Sequence, residues 1–202
     1  MTIREDTGTP RAGREDGEGY TLRVNGRDVR VTARPSRSLL EVLHDDLGLG
    51  EVRYGCGEGV CGTCTVLVGG EAVSACLMFV SQAEGYEITT LSGLRALGEE
   101  AAATESHGRV RALHPLQESF LRNGALQCGF CTPGMILGAY ALVERVGRPT
   151  REEIAYELVG NLCRCTGYSK IFEAVTEYAS TAAEGAQVRH AEAAGDHGSV
   201  VS

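Results

Sequence analysis

The 202-residue sequence predicts an α+β chain, a small β-rich domain followed by an all-α bundle of four helices. Three observations predict it. Alternating apolar residues and turn signals dominate residues 19–91, whereas helical periodicity and helix caps dominate residues 113–183. The eight cysteines divide into two sets of four, one set in each half. Each half has only about 75 residues, a size at which cores are thin and a metal staple is often needed.

The first ordered segment is TLRVNGRDVRV. Leu22 and Val24, then Val29 and Val31, alternate with polar residues around Asn25-Gly26, a hairpin signal. In SLLEVLHDDLG, Ser38 and Glu41 have capping-box spacing and Leu39, Leu43 and Leu47 share a helical face, so a short helix should stop near Gly48. TVLV, a Gly69-Gly70 turn and EAVSACLM read as two paired strands, and YEITTL as a last one. Residues 92–112 have weak periodicity and read as a linker. Pro115 opens the next helix and Asn123-Gly124 closes it. A second spans Gly134 to Val146, Thr150 and Glu153 cap a third, and Ser169 to Ala183 is a fourth. Residues 1–18 and 184–202 are polar or glycine-rich and read as a disordered arm and tail.

Net charge is −8 at pH 7, which argues against a phosphate-binding surface, because nucleic-acid footprints are basic. No run approaches the ~18 apolar residues of a membrane span. The N-terminus has no export-signal pattern, so a cytoplasmic location and reduced thiols are expected. There is no nucleophile elbow, Walker motif or zincin helix, and no G-x-G-x-x-G after a strand. The five histidines read as solvated, because no Cys-x-His pair suggests a mixed ligand set.

Cys56, Cys61, Cys64 and Cys76 have the spacing C-x4-C-x2-C-x11-C. A C-x4-C-x2-C run with a distant fourth cysteine is the plant-type 2Fe–2S ferredoxin pattern. Four thiolates must surround two irons. One loop supplies three, and Cys76 closes the cage. Gly55, Gly57, Gly59 and Gly62 let the loop curl so that N–H groups can approach the inorganic sulfides. A single zinc ion leaves that glycine density unexplained. The second set is Cys128, Cys131, Cys163 and Cys165, a C-x2-C and a C-x-C pair 31 residues apart. Alone it also suits zinc; after the first set, it points to a second 2Fe–2S cluster.

YGCGEGVCGTCTV, HPLQESFLRNGALQCGFCTPGMI and VGNLCRCTGY together resemble the iron–sulfur subunit of molybdenum hydroxylases, the xanthine dehydrogenase, aldehyde oxidoreductase and carbon monoxide dehydrogenase group. The resemblance covers about residues 20–180. It implies a plant-type ferredoxin-like (β-grasp) domain and a four-helix 2Fe–2S domain. It implies an electron relay from a large molybdopterin-binding subunit to a medium FAD-binding subunit or another acceptor, in a complex such as a dimer of heterotrimers. The cluster on Cys128, Cys131, Cys163 and Cys165 would be the inner one. The cluster on Cys56, Cys61, Cys64 and Cys76 would be the outer one. Gln127 and Cys165 would approach the pterin, although Gln127 could instead cap a helix end. No catalytic residue is expected. The alternative is a free-standing two-cluster ferredoxin serving other reductases.

Overall fold

The computed structural model describes residues 17–94 and 113–195, with side chains placed as far as residue 182. Nearly all of the expected arm, most of the linker and the end of the tail lie outside the described residues.

Strands β1 (Glu18–Val24) and β2 (Arg27–Ala33) form the expected hairpin. Asn25 and Gly26 both have positive φ, 52° and 74°, the requirement of a type I′ turn. Helix α1 (Leu39–Glu41) starts at the expected cap: Ser38 Oγ accepts from Glu41 N–H and the Glu41 carboxylate accepts from Ser38 N–H. It then widens into a π-helical turn, Val42–Asp46, closed by Leu47 N–H donating to Val42 O at 3.0 Å. The wider turn keeps Leu39, Leu40, Val42, Leu43 and Leu47 all buried, more than a narrow α-helical stripe would hold.

Strands β3 (Thr65–Val68), β4 (Glu71–Ser74) and β5 (Glu87–Thr89) complete a mixed five-stranded sheet of order β2-β1-β5-β3-β4. Among the described residues only β1 and β5 are parallel neighbours. The return strand is shorter than EAVSACLM. It ends at Ser74, so Cys76 sits in the turn after it, and a short helix α2 (Val80–Ala83) follows before β5.

The second half holds α3 (Pro115–Arg122), α4 (Thr132–Val146), α5 (Arg151–Glu157) with a 3₁₀ turn at Leu158–Gly160, and α6 (Ser169–Gly195). The cap expected at Thr150 and Glu153 is present. Helix α6 runs to Gly195, so it crosses the boundary expected at residue 183. Ala-rich sequence with few helix breakers supports that continuation. His114, expected at the surface, is buried: it caps α3 through Nδ1, which accepts from Leu116 N–H.

The two halves share a core through β3. Val66 and Val68 face the α1 side, while Leu67 faces α4 and packs with the core of the helical half. Burial on both faces explains why TVLV is continuously apolar rather than alternating. Full burial of one leucine side chain stabilises by about 2 kcal/mol. The seam between the halves brings the two cysteine-bearing regions side by side.

Candidate iron–sulfur sites

The Cys56–Cys64 loop is held open by its own backbone. Glu58 N–H donates to Cys56 Sγ and Cys56 N–H donates to Cys61 Sγ, both at 3.3 Å. Thr63 Oγ1 lies 3.3 Å from Cys61 Sγ. Gly57, Gly59 and Gly62 have φ of 74°, 74° and 66°. Gly55 differs from the expectation: its φ is ordinary, and glycine is required because a Cβ there would come within 2.5 Å of Cys61 Sγ. The Glu58 N–H, then the Cys61 thiol, pull the Cys56 thiol down to about 6. Burial pushes the Cys64 thiol up to about 12, and the neighbouring Cys76 thiol adds to the rise.

In the helical half, QCGFC leads into α4 and NLCRC joins the 3₁₀ turn to α6. Cys165 and Cys128 bring their Sγ atoms to 3.6 Å, and both residues are exposed. Cys131 and Cys163 are half-buried and interact with each other. Burial pushes Cys131 up to about 12. Cys163 is lowered: its burial works the other way, but the Thr166 hydroxyl and N–H, the Cys165 N–H and the Cys131 thiol together outweigh it. Phe130 N–H, then the Cys165 thiol, lower Cys128. Gln127 Nε2 donates to Cys165 O at 3.2 Å and caps no helix end.

None of the eight cysteines is in a disulfide. The thiols interact as four couples: Cys56 with Cys61, Cys64 with Cys76, Cys128 with Cys165, and Cys131 with Cys163. Among the described residues no three His, Cys, Asp or Glu side chains converge as a site for one metal ion. Two thiolates on one tetrahedral ion with metal–sulfur bonds of about 2.3 Å sit about 3.8 Å apart, close to the Cys128–Cys165 separation. Couples of thiols suit two irons with two thiolates each, and the donor set therefore fits a 2Fe–2S cluster in each half.

Several contacts join the two cysteine regions, and none of them was assigned a role from sequence. Leu162 N–H donates to Cys61 O at 2.9 Å. Asn161, buried, donates from Nδ2 to Gly62 O at 3.0 Å and to Thr65 Oγ1 at 3.3 Å. Gly134 in α4 has no room for a side chain, since a Cβ would fall 2.0 Å from Gly62 O. Arg53 reaches from before the first loop to Gly129 O in the second.

A family model described as a 2Fe-2S iron-sulfur cluster binding domain matches residues 22–91, and a [2Fe-2S] binding domain model matches residues 100–176. The small FeS subunit of nicotinate dehydrogenase from Eubacterium barkeri is 44% identical over 154 residues, covering 76% of this chain and 90% of that protein. The chain belongs to the iron–sulfur small subunits of the molybdenum hydroxylase family. The iron-sulfur-binding subunit of xanthine dehydrogenase from Escherichia coli O157:H7 is 40% identical over 160 residues, 78% of this chain and 92% of that one. Among solved structures, a chain of quinoline 2-oxidoreductase from Pseudomonas putida 86 has 37% identity and a TM-score of 0.73, covering 86% of this chain and 98% of that chain. As a family member, this iron–sulfur subunit is the electron-transfer part of a multi-subunit oxidoreductase.

Proposed function

We propose that this subunit carries electrons from a molybdopterin-containing large subunit to a flavin subunit or another acceptor. In this reading, Cys128, Cys131, Cys163 and Cys165 hold the inner 2Fe–2S cluster, and Cys56, Cys61, Cys64 and Cys76 hold the outer one. The helical half is a four-helix cluster-binding unit, and the complex is a dimer of heterotrimers. When bound, each cluster supplies a carrier that accepts and gives up one electron at a time.

The protein's own contribution is the connection between the two ligand sets. The observation that carries the proposal is the hydrogen bond from Leu162 N–H to Cys61 O. Leu162 precedes Cys163, so one hydrogen bond and a few covalent bonds link a ligand of one set to a ligand of the other. Asn161 and the missing side chains at Gly62 and Gly134 hold that approach.

The exposed side of the second set supports assigning it to the large subunit. Cys128, Cys165, Gln127, Phe130 and Leu162 are all exposed in those two loops. Exposed apolar side chains beside ligands suit a covering partner better than bulk water. Gln127, placed by its bond to Cys165 O, is the side chain we assign to the pterin. A free-standing carrier would have no use for this open, partly apolar edge.

The order of the two sets is tested by Cys131→Ser and Cys61→Ser in the intact complex. Cys131→Ser is expected to slow reoxidation of the molybdenum centre more than Cys61→Ser. Equal slowing in both variants contradicts the order.

A further inference from the structure

Arg53 stands at the start of the first cysteine loop, yet its side chain serves the second. Its backbone belongs to the first: Arg53 N–H donates to Thr63 O, and the Thr63 hydroxyl donates to Arg53 O at 3.3 Å. Its guanidinium crosses the seam. Nη1 donates to Gly129 O at 2.5 Å, and Cζ lies 5.3 Å from the centre of the Phe130 ring. Those partners are a carbonyl and a ring, not a carboxylate, so the positive charge is not cancelled by either contact.

The acceptor matters. Gly129 C=O and Phe130 N–H are the two ends of one peptide group. That peptide lies in the loop between Cys128 and Cys131, and the Phe130 N–H is the largest cause that lowers the Cys128 thiol. Gly129 has φ of 77°, a left-handed conformation that favours glycine. A cation bound to the carbonyl end pulls electron density toward it and makes the N–H end a stronger donor. The flat guanidinium can hydrogen-bond the carbonyl and stack on the ring at once, which an ammonium cannot.

We propose that Arg53 is a positioning residue that raises the reduction potential of the inner cluster, by fixing and polarising the Gly129–Phe130 peptide that lies between Cys128 and Cys131. The inference rests on the assignment of Cys128, Cys131, Cys163 and Cys165 as cluster ligands. The physical reason is charge: reduction adds an electron to a site already rich in thiolates and sulfides, and hydrogen bonds to sulfur and nearby cations stabilise the reduced form.

The test is an EPR-monitored redox titration of the intact complex carrying Arg53→Gln, with the two reduced signals assigned through Cys61→Ser and Cys131→Ser. The inner potential is expected to become more negative while the outer potential stays where it is. Arg53→Lys is expected to recover part of the shift, because it restores the charge without the stacking. An inner potential unchanged in Arg53→Gln, or a shift of equal size at both clusters, overturns the proposal. If Arg53→Gln does not load its inner cluster, Phe130→Leu replaces it: a smaller negative shift at the inner cluster supports the proposal, and no shift overturns it. A wild-type complex without about two irons at each set fails the ligand assignment itself, which separates that failure from the failure of the Arg53 role.

Discussion

Tyr168 holds the second cysteine turn with a single hydroxyl. The oxygen accepts from Cys163 N–H at 2.9 Å, and its proton goes to Asn161 O at 3.0 Å. Tyr168 has φ of 66°, and Gly167 before it 61°, so a left-handed pair of residues brings the ring back under the turn. That conformation is unfavourable for a residue with a Cβ and persists because the surroundings fix it. Tyr168→Phe leaves a peptide N–H and a carbonyl without their partner, at a cost of about 1–3 kcal/mol. The expected result is a lower denaturation midpoint and reduced iron at the second set, with the first set still loaded. Iron per chain and the two EPR signals check it; full iron with both signals unchanged contradicts it. The cysteine sets that we propose as ligands were legible in the sequence because the spacing within each motif is local. Asn161, Arg53 and Tyr168 were not, because their roles depend on contacts across the seam or on a turn whose φ values no motif reveals. The surface reading of the histidines failed at His114 for a related reason: only the packed fold places Tyr140 and Tyr178 around its ring.

Helix α4 approaches the first cysteine loop along two glycines with different tolerances. At Gly134 a Cβ would meet backbone, the Gly62 carbonyl, at 2.0 Å; at Gly138 it would meet side chains at 3.4 Å and beyond. Alanine favours a helix interior over glycine by about 1 kcal/mol, so propensity alone favours both substitutions. Sterics reverses the sign at one of them. Gly134→Ala is expected to lower stability by about 1–3 kcal/mol, whereas Gly138→Ala is expected to stay within about 1 kcal/mol of wild type. Equal midpoints for the two variants in denaturant contradict this reading of the seam. Helix α3 carries a pH dependence. Burial lowers His114 to about 4, so the ring is neutral in the fold and its Nδ1 can accept the capping bond. The unfolded chain takes up this proton near the ordinary value of about 6.5. Between about 6.5 and 4 the unfolded state therefore binds more protons, and stability falls as pH falls. Relative to His114→Gln, the wild-type midpoint is expected to decline through that window and to be level above it; a constant difference from pH 7 to 4 contradicts the assignment. Most elements were legible, since caps at Ser38 and Thr150 and the Asn25-Gly26 turn are local chemistry. The π-helical turn and the run of α6 beyond residue 183 were not, because burial demand and weak breakers, rather than periodicity, decide them.

The molecule as a whole is a pair of thin cores fused through β3, with two cysteine sets facing one another across the seam. Leu67 belongs to one core while Val66 and Val68 belong to the other, so the halves are not independent beads on a linker. That fusion was invisible in a sequence that divides cleanly by composition and period. The arrangement serves the relay directly: it sets the Cys61 carbonyl against the Leu162 N–H and leaves the Cys128–Cys165 edge open for a partner. Among the described residues no helix is long and apolar enough to cross a membrane. The central claim is that each set of four thiols holds two irons. Iron and acid-labile sulfide analysis of the purified complex, with EPR after reduction, tests it most directly. About four irons and four sulfides per iron–sulfur subunit, with two distinguishable reduced signals, is the result this account predicts. One zinc per cysteine set, with no labile sulfide and no EPR signal from either, is the result that contradicts it.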